Sequence, residues 1–494
     1  MTIITFKFSK CRSISISRSI LLICLWQLSF SHCQQKQDWT WLGGDEGAGQ
    51  LSTVNYPGGR SASGVWPHND SVFIFGGKGF SDLSTGSPHL LNDVWQFQTA
   101  TNSFHLHHPG TFPGTALENV PESRQHPCVC GHDDAIIVFG GLGAGGFGLS
   151  DLWAYNINTK NWSQESDKSK NSSLPSGRGQ SAVWCYNSSM YVFGGMSHNS
   201  VFHDMWRLNL TSLTWTRLWD EDSLNVTYSS LKSPMNVTIR RPMGRNGAAA
   251  WVSDDTFYLF GGNTDPTFAY NLQQTSGLAS DLWKYHPSHN SWHFVAGPTE
   301  TGQGSRLNGI GTFSPSNVPG CRRGAASWAD AEGNLWLFGG AGKDSQPDSP
   351  RQTSKLLSDL WRFHVRLHQW AFMGGSQIGD LAGSYKAKHE DKHTSFPGSR
   401  TEMLVWRSHT HVAEIFGGLG HDGRKLDGYL NDLWSVDFTA AFTREYMISP
   451  LTAVLFFGVG TGTLLLLMVF ILWSRKPCRK SLDYSYMRVH VDDI

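Results

Sequence analysis

The stretch Arg178-Gly-Gln-Ser-Ala-Val-Trp184, followed by Tyr191-Val-Phe-Gly-Gly195, Asp204-Met-Trp206 and Leu213-Thr-Trp215, decides how this chain folds. The same succession recurs six times. Its arginine falls at Arg60, Arg124, Arg178, Arg245, Arg322 and Arg400, and a Trp follows six residues later in every copy but the second, where Cys130 stands. Phe-Gly-Gly begins at Phe75, Phe139, Phe193, Phe260, Phe338 and Phe416. The acidic residue of Asp-x-Trp is Asp93, Asp151, Asp204, Asp281, Asp359 or Asp432. A closing aromatic comes nine residues after that Trp: Phe104, Trp162, Trp215, Trp292 and Trp370. The sixth copy lacks it. Near the N-terminus, Trp39-Thr-Trp41-Leu-Gly-Gly44 reproduces Trp370-Ala-Phe372-Met-Gly-Gly375.

Each copy holds four short runs rich in Val, Ile, Thr and aromatics, punctuated by Gly, Asn, Asp and Ser, so each run reads as a strand. Four antiparallel strands repeated radially make a propeller blade. An orphan fourth strand at the front and a three-strand copy at the back predict a ring closed by Trp39. The pattern resembles the kelch repeat, whose period is roughly 50 residues. The Phe-to-Phe spacings here are 64, 54, 67, 78 and 78, so the excess is loop. The resemblance implies an all-β, six-bladed kelch-type β-propeller over residues 34–438. It also places the chain near the propellers of attractin-like proteins and the central domain of galactose oxidase. The copper-site residues of the latter have no counterpart here, so oxidase activity is unsupported, and the expectation is a chain with no cofactor, no metal and no enzymatic role.

Variation is confined to two of the four connections in each copy. The hairpin from the first strand to the second stays short, while the span from closing aromatic to next arginine runs from 16 to 30 residues. In an antiparallel blade both variable connections emerge on one face. Loops that vary on a fixed scaffold are where binding sites are found. That long-loop face is the expected site for a protein or glycan, with the spans Trp215–Arg245, Trp292–Arg322 and Trp370–Arg400 as candidates. Residues present in every blade serve the blade. The six arginines and six aspartates are therefore expected to pair or to fix loops, the Gly-Gly to serve backbone geometry, and Trp39, Trp162, Trp215, Trp292 and Trp370 to wedge between blades. Of the 21 histidines, neither the His105, His107, His108 group nor the His364, His368 pair has the spacing of a metal site. The spacing shows no cluster of carboxylates or histidines in the channel.

Targeting signals bracket the ring. Residues 1–33 carry Lys7, Lys10, Arg12 and Arg18 before the apolar run Ile20–Phe30 and read as a cleaved signal peptide. A linker over 439–450 precedes the apolar run Leu451–Trp473, whose 23 residues would span ~34 Å as a helix against a hydrocarbon core of about 30 Å. Arg475, Lys476, Arg479 and Lys480 follow, which places the tail, 474–494, in the cytoplasm. The expectation is a single-pass type I protein of the plasma membrane with its N-terminus outside. Only 16% of residues are charged and the formal net charge is zero, which argues against a nucleic-acid partner.

Seven Asn-x-Ser/Thr sequons mark candidate glycosylation sites at Asn69, Asn161, Asn171, Asn187, Asn209, Asn225 and Asn236, and none follows. Strand parity allows Cys130 and Cys185 to bridge blades two and three; free buried thiols are the alternative. Cys478 is a palmitoylation candidate. Tyr484 and Tyr486 each begin a tyrosine-x-x-apolar sorting pattern, and Ile494 ends the chain as a PDZ ligand would. The leading reading is a receptor or adhesion protein. The alternatives are a sorting or cargo factor of the secretory pathway and an ectoenzyme.

Overall fold

In the computed structural model the described residues are 3–8, 11–17, 38–82, 86–111, 119–165, 174–219, 241–264, 277–346, 353–386 and 395–439. The six copies become six antiparallel sheets. Copy three shows the plan: strand a, Ala182–Tyr186, lines the centre; then come b, Ser189–Phe193, c, Met205–Asn209, and the outer strand d, Thr214–Trp219. In copies one, five and six a short segment headed by the repeat arginine joins the same sheet ahead of strand a. Blade six takes its outer strand from the front of the chain. Asp38–Gly43 pairs antiparallel with Asp427–Asp437, setting Trp39 opposite Val436 and Trp41 opposite Trp434.

One aromatic contact repeats at every blade junction. The closing aromatic of each blade meets the Phe of Phe-Gly-Gly in the blade before it. Trp162 lies 4.9 Å from Phe75, Trp215 4.7 Å from Phe139, Trp292 5.2 Å from Phe193 and Trp370 5.4 Å from Phe260. Trp39 lies 4.9 Å from Phe338 and Phe104 5.1 Å from Phe416, so the N-terminal strand supplies the one wedge that copy six lacks. Aromatic pairs at such separations contribute beyond the area they bury.

The paired glycines work at the same junctions. Their φ values are +61° to +69° for the first and +90° to +108° for the second, a region that side chains rarely enter. The turned backbone lets the second glycine donate its N–H to the carbonyl of the next blade's arginine, from Gly77 to Arg124, Gly141 to Arg178, Gly195 to Arg245 and Gly262 to Arg322, at 2.8–2.9 Å. A Cβ on Gly77 would sit 2.6 Å from the Ser61 carbonyl oxygen. Blades two and three are also joined covalently, by a disulfide between Cys130 and Cys185 with a Cα separation of 5.7 Å. Cys128 and Cys321 are free and buried.

A separate hairpin, Ile3–Phe8 with Cys11–Ser17, forms within the segment read as a signal peptide, where Ser and Ile alternate as a strand requires. Among the described residues no helix is long and apolar enough to cross a membrane. The Leu451–Trp473 run and the tail with Cys478, Tyr484, Tyr486 and Ile494 lie outside the described residues, as do Asn171, Asn225 and Asn236.

Trp39 is 5% exposed, and truncating a buried Trp costs about 3–5 kcal/mol. Trp39→Ala is therefore expected to lower the thermal unfolding midpoint of the purified protein by several degrees. An unchanged midpoint would mean that strand 38–43 does not close the ring.

Candidate functional site

The six repeat arginines do not present their charge to the channel. Each is 0–1% exposed and turns into its own blade. There it meets the repeat aspartate in a two-pronged pair with N···O distances of 2.5–3.0 Å. Nη1 also donates to the carbonyl of the first glycine of Phe-Gly-Gly, and Nε to a carbonyl two residues back. The Trp two residues after each aspartate donates its indole N–H to the same carboxylate at 2.6–2.7 Å. This is a device for holding the long-loop end of each blade. It leaves no guanidinium free for an anion.

The loops diverge from the simple picture of parallel projections. The span between strand d of blade four, Ser291–Ala296, and Arg322 does not stand away from the ring. It runs along the outer edge of blade five: Gly311 donates its N–H to the Phe372 carbonyl, Ser314 to that of Trp370, and the Asn317 side chain to Trp370 as well. An open sheet edge exposes unpaired backbone groups, and this segment covers them. The sequence carries the signal. Outer strands elsewhere alternate, as in Thr-Trp215-Thr-Arg, whereas Trp370-Ala-Phe-Met373 is apolar throughout and is buried throughout.

Three other segments knit into a platform over blade six. They are the crossover 44–59, the crossover 375–399 as far as it is described, and the loop 421–427. Asp422 sits between them, 0% exposed, and accepts the backbone N–H groups of Ala48, Arg424 and Leu426. Burial alone would raise its carboxyl; these bonds outweigh it and hold the group below the ordinary carboxylate range. Gly423 donates to the Glu46 carbonyl and Gly383 to that of Asp422. Tyr385 reaches back from the crossover and donates its hydroxyl to Asp432 at 2.6 Å. Leu51, Val54, Ile378, Phe396 and Leu426 all stand exposed on this platform, at 43–82% of their surface. Phe147 and Leu174 are exposed on the same face over blades two and three, while the short-turn face shows Leu367. Of the three candidate spans, Trp370–Arg400 thus contributes to a platform, Trp292–Arg322 covers an edge, and most of Trp215–Arg245 lies outside the described residues.

A second departure from six-fold symmetry lies in the channel, where the spacing gave no cluster. The residue two places after each arginine is Ala62, His126, Gln180, Gly247, Gly324 or Glu402, and all six have φ between +53° and +65°. Their backbones link head to tail around the axis: His126 to Ala62, Ala62 to Glu402, Glu402 to Gly324, Gly324 to Gly247 and Gly247 to Gln180, at 2.7–3.0 Å. Between blades two and three the side chains make the link, with Gln180 Nε2 2.9 Å from His126 Nε2. Glu402 Oε1 lies 3.4 Å from the same imidazole nitrogen, and Ser61 donates to Oε2. A neutral His126 accepts from Gln180, and a protonated one donates to Glu402. Burial alone would raise the Glu402 carboxyl; the charge and hydrogen bond of His126, then Arg323 and Ser61, outweigh it and hold it at about 2. Non-glycine residues at positive φ are strained. His126, Gln180 and Glu402 hold that conformation where two sister blades use glycine. Comparing the six copies at this one position, rather than scanning for spacing, reveals the cluster. Among the described residues no three His, Cys, Asp or Glu side chains converge as a metal site.

A model of the kelch-repeat domain of KLHDC2, KLHL20 and DRC7 matches residues 50–232. Kelch domain-containing protein 10 of rat is 23% identical over 322 residues, covering 64% of this chain and 65% of the rat protein. The human protein of that name is also 23% identical, over 60% of its length. Tip elongation aberrant protein 1 of Schizosaccharomyces pombe is 29% identical over 44% of this chain and 16% of its own. The match thus spans less than two thirds of the kelch domain-containing relatives. Kelch domains mediate protein–protein binding.

Two substitutions test the energetics. Breaking a buried ion pair from one side costs about 3–5 kcal/mol. Asp281→Ala should approach that loss, because the Asp281 side chain is 1% exposed; Asp151→Ala should cost less, because Asp151 is 22% exposed. Equal losses in denaturant titrations would show that burial of the acid does not set the strength. The depressed Glu402 carboxyl stabilises the fold fully above the ordinary carboxylate range and loses that contribution as pH falls toward 2. Glu402→Gln should therefore be less stable than the parent near neutral pH, with the gap narrowing as the solution is acidified below about pH 4.5. A gap independent of pH would exclude this assignment.

Proposed function

From the premise that this chain is a kelch-repeat, six-bladed β-propeller, we propose that it is a single-pass type I cell-surface protein that docks a protein partner on the platform over blade six. The carrying observation is that Leu51, Val54, Ile378, Phe396 and Leu426 are all exposed on the three segments that interlock around Asp422. Contiguous exposed apolar side chains rimmed by polar groups mark interaction surfaces. Asp45, Glu46, Arg424, Lys425 and Asp427 supply such a rim. None of the three platform segments carries a sequon. A protein ligand is favoured over a glycan because the exposed groups are aliphatic and aromatic rather than hydrogen-bonding.

The membrane assignment rests on the 23-residue apolar run Leu451–Trp473 and the four basic residues behind it. The Cys130–Cys185 disulfide supports it, because such bonds persist in oxidising compartments. Tyr484 and Tyr486 favour a second reading, a sorting or cargo factor within the secretory pathway, in which the same platform binds cargo.

Surface biotinylation of cells expressing the full chain, with sequencing of the mature N-terminus near Gln34, tests the topology. A protein recovered only from the cytosol with Met1 in place would refute it. Cross-linking on intact cells tests the platform. The combined Val54→Asp and Leu426→Asp change should abolish the cross-linked species, and Leu367→Asp on the short-turn face should leave it. The reverse pattern would place docking on the other face.

A further inference from the structure

The described sequon asparagines share one face. Asn69 and Asn187 form the tips of the tight a–b turns of blades one and three, between Gly64–His68 and Ser71–Gly79 and between Ala182–Tyr186 and Ser189–Phe193. Asn161 opens the outer strand of blade two just after its c–d turn, and Asn209 ends strand c of blade three just before its own. All four are exposed. In an antiparallel blade the a–b and c–d turns lie at the same end, so four exposed acceptors crowd the short-turn face of three consecutive blades. The described sites thus share one face as well as one run of blades.

Turn chemistry explains part of this pattern and leaves part over. Asn69 and Asn187 have φ of 51° and 46°, where Asn and Asp fit best, and the sister turns of blades two and four use Asp133 and Asp254 at φ 50° and 49°. Aspartate therefore serves the turn as well as asparagine does. In blade three the Asn209 Oδ1 caps the turn by accepting the N–H groups of Thr211 and Ser212. That task uses the oxygen, which Asp shares, and leaves the amide nitrogen outside the cap. What asparagine alone adds at these exposed positions is an Nδ2, with a hydroxyl residue two places on at Ser71, Ser163, Ser189 and Thr211.

We propose that the short-turn face of blades one to three is N-glycosylated at Asn69, Asn161, Asn187 and Asn209, which blocks that face and leaves the platform over blade six as the open docking surface. The inference rests on the secretory topology proposed above. The donor is a polyprenyl-diphosphate-linked oligosaccharide: the Asn Nδ2 to sugar C1 bond forms as the C1–O bond to the diphosphate breaks, and Nδ2 gives up one proton. Each attached glycan adds bulk and hydration to a face where protein contact would otherwise require only rigid turns to be buried.

The full chain expressed in an animal secretory host provides the test. Enzymatic release of N-glycans in heavy-oxygen water, followed by peptide mass spectrometry, reports occupancy at each sequon. Occupancy at all four sites, and a four-step loss of mass as Asn69→Asp, Asn161→Asp, Asn187→Asp and Asn209→Asp are combined, is expected. Asp keeps both the left-handed turns and the Asn209 cap, so folding is preserved. Sugar at Asn171, Asn225 or Asn236 with these four bare would overturn the inference while leaving the topology intact. A chain without sugar that retains Met1 would fail at the topology itself.

Discussion

A carboxylate shared by an arginine and an indole, and buried in five of the six blades, sets the geometry of every blade. Burying an ion pair gains stability only when its remaining donors and acceptors are also satisfied. Here the guanidinium spends its prongs on the aspartate, a glycine carbonyl and a carbonyl two residues back, and the carboxylate takes the Trp N–H as well. The pair fixes the start of the innermost strand against the start of the third. Because the glycine it holds is followed by one that donates to the next blade's arginine, the same constraint passes from blade to blade. Register within blades and spacing between them come from one motif.

That motif is visible in the chain because its parts are chemically unusual and evenly placed. Arg, Phe-Gly-Gly and Asp-x-Trp each have a physical task that no neighbouring residue type performs, so six copies stand out above variable loops. The closing strand could be read for the same reason: Trp39 repeats the surroundings of Trp370. The edge cover on blade five was less visible, because it depends on contacts between Gly311, Ser314 and a strand more than fifty residues away. The channel cluster was missed for another reason. His126, Gln180 and Glu402 are ordinary residues of three different types that share only their place two after the repeat arginine, and only the fold shows that this place faces its counterparts across the channel.

Departures from symmetry carry the individuality of this propeller. The inner ring accepts left-handed His, Gln and Glu where sister blades use glycine, and so places one carboxylate against one imidazole on the axis. On the long-loop face, three segments interlock around the buried Asp422 at blade six, the blade built from both ends of the repeat, and they carry five of the exposed apolar residues. Everything six-fold supports the frame, and what is found once or twice is available for recognition.

Closure by Asp38–Gly43 also orders events in time. Its partner strand ends at Asp437, so a chain made from the N-terminus must finish nearly the whole ring before the first strand finds its place. Joining segments roughly 400 residues apart carries a loop-closure cost on the order of 5 kcal/mol if nothing between them has formed. Stacking blades one to five beforehand shortens the effective loop to a single junction. The seam between Trp39 and Phe338 is then the last part of the ring to form during synthesis.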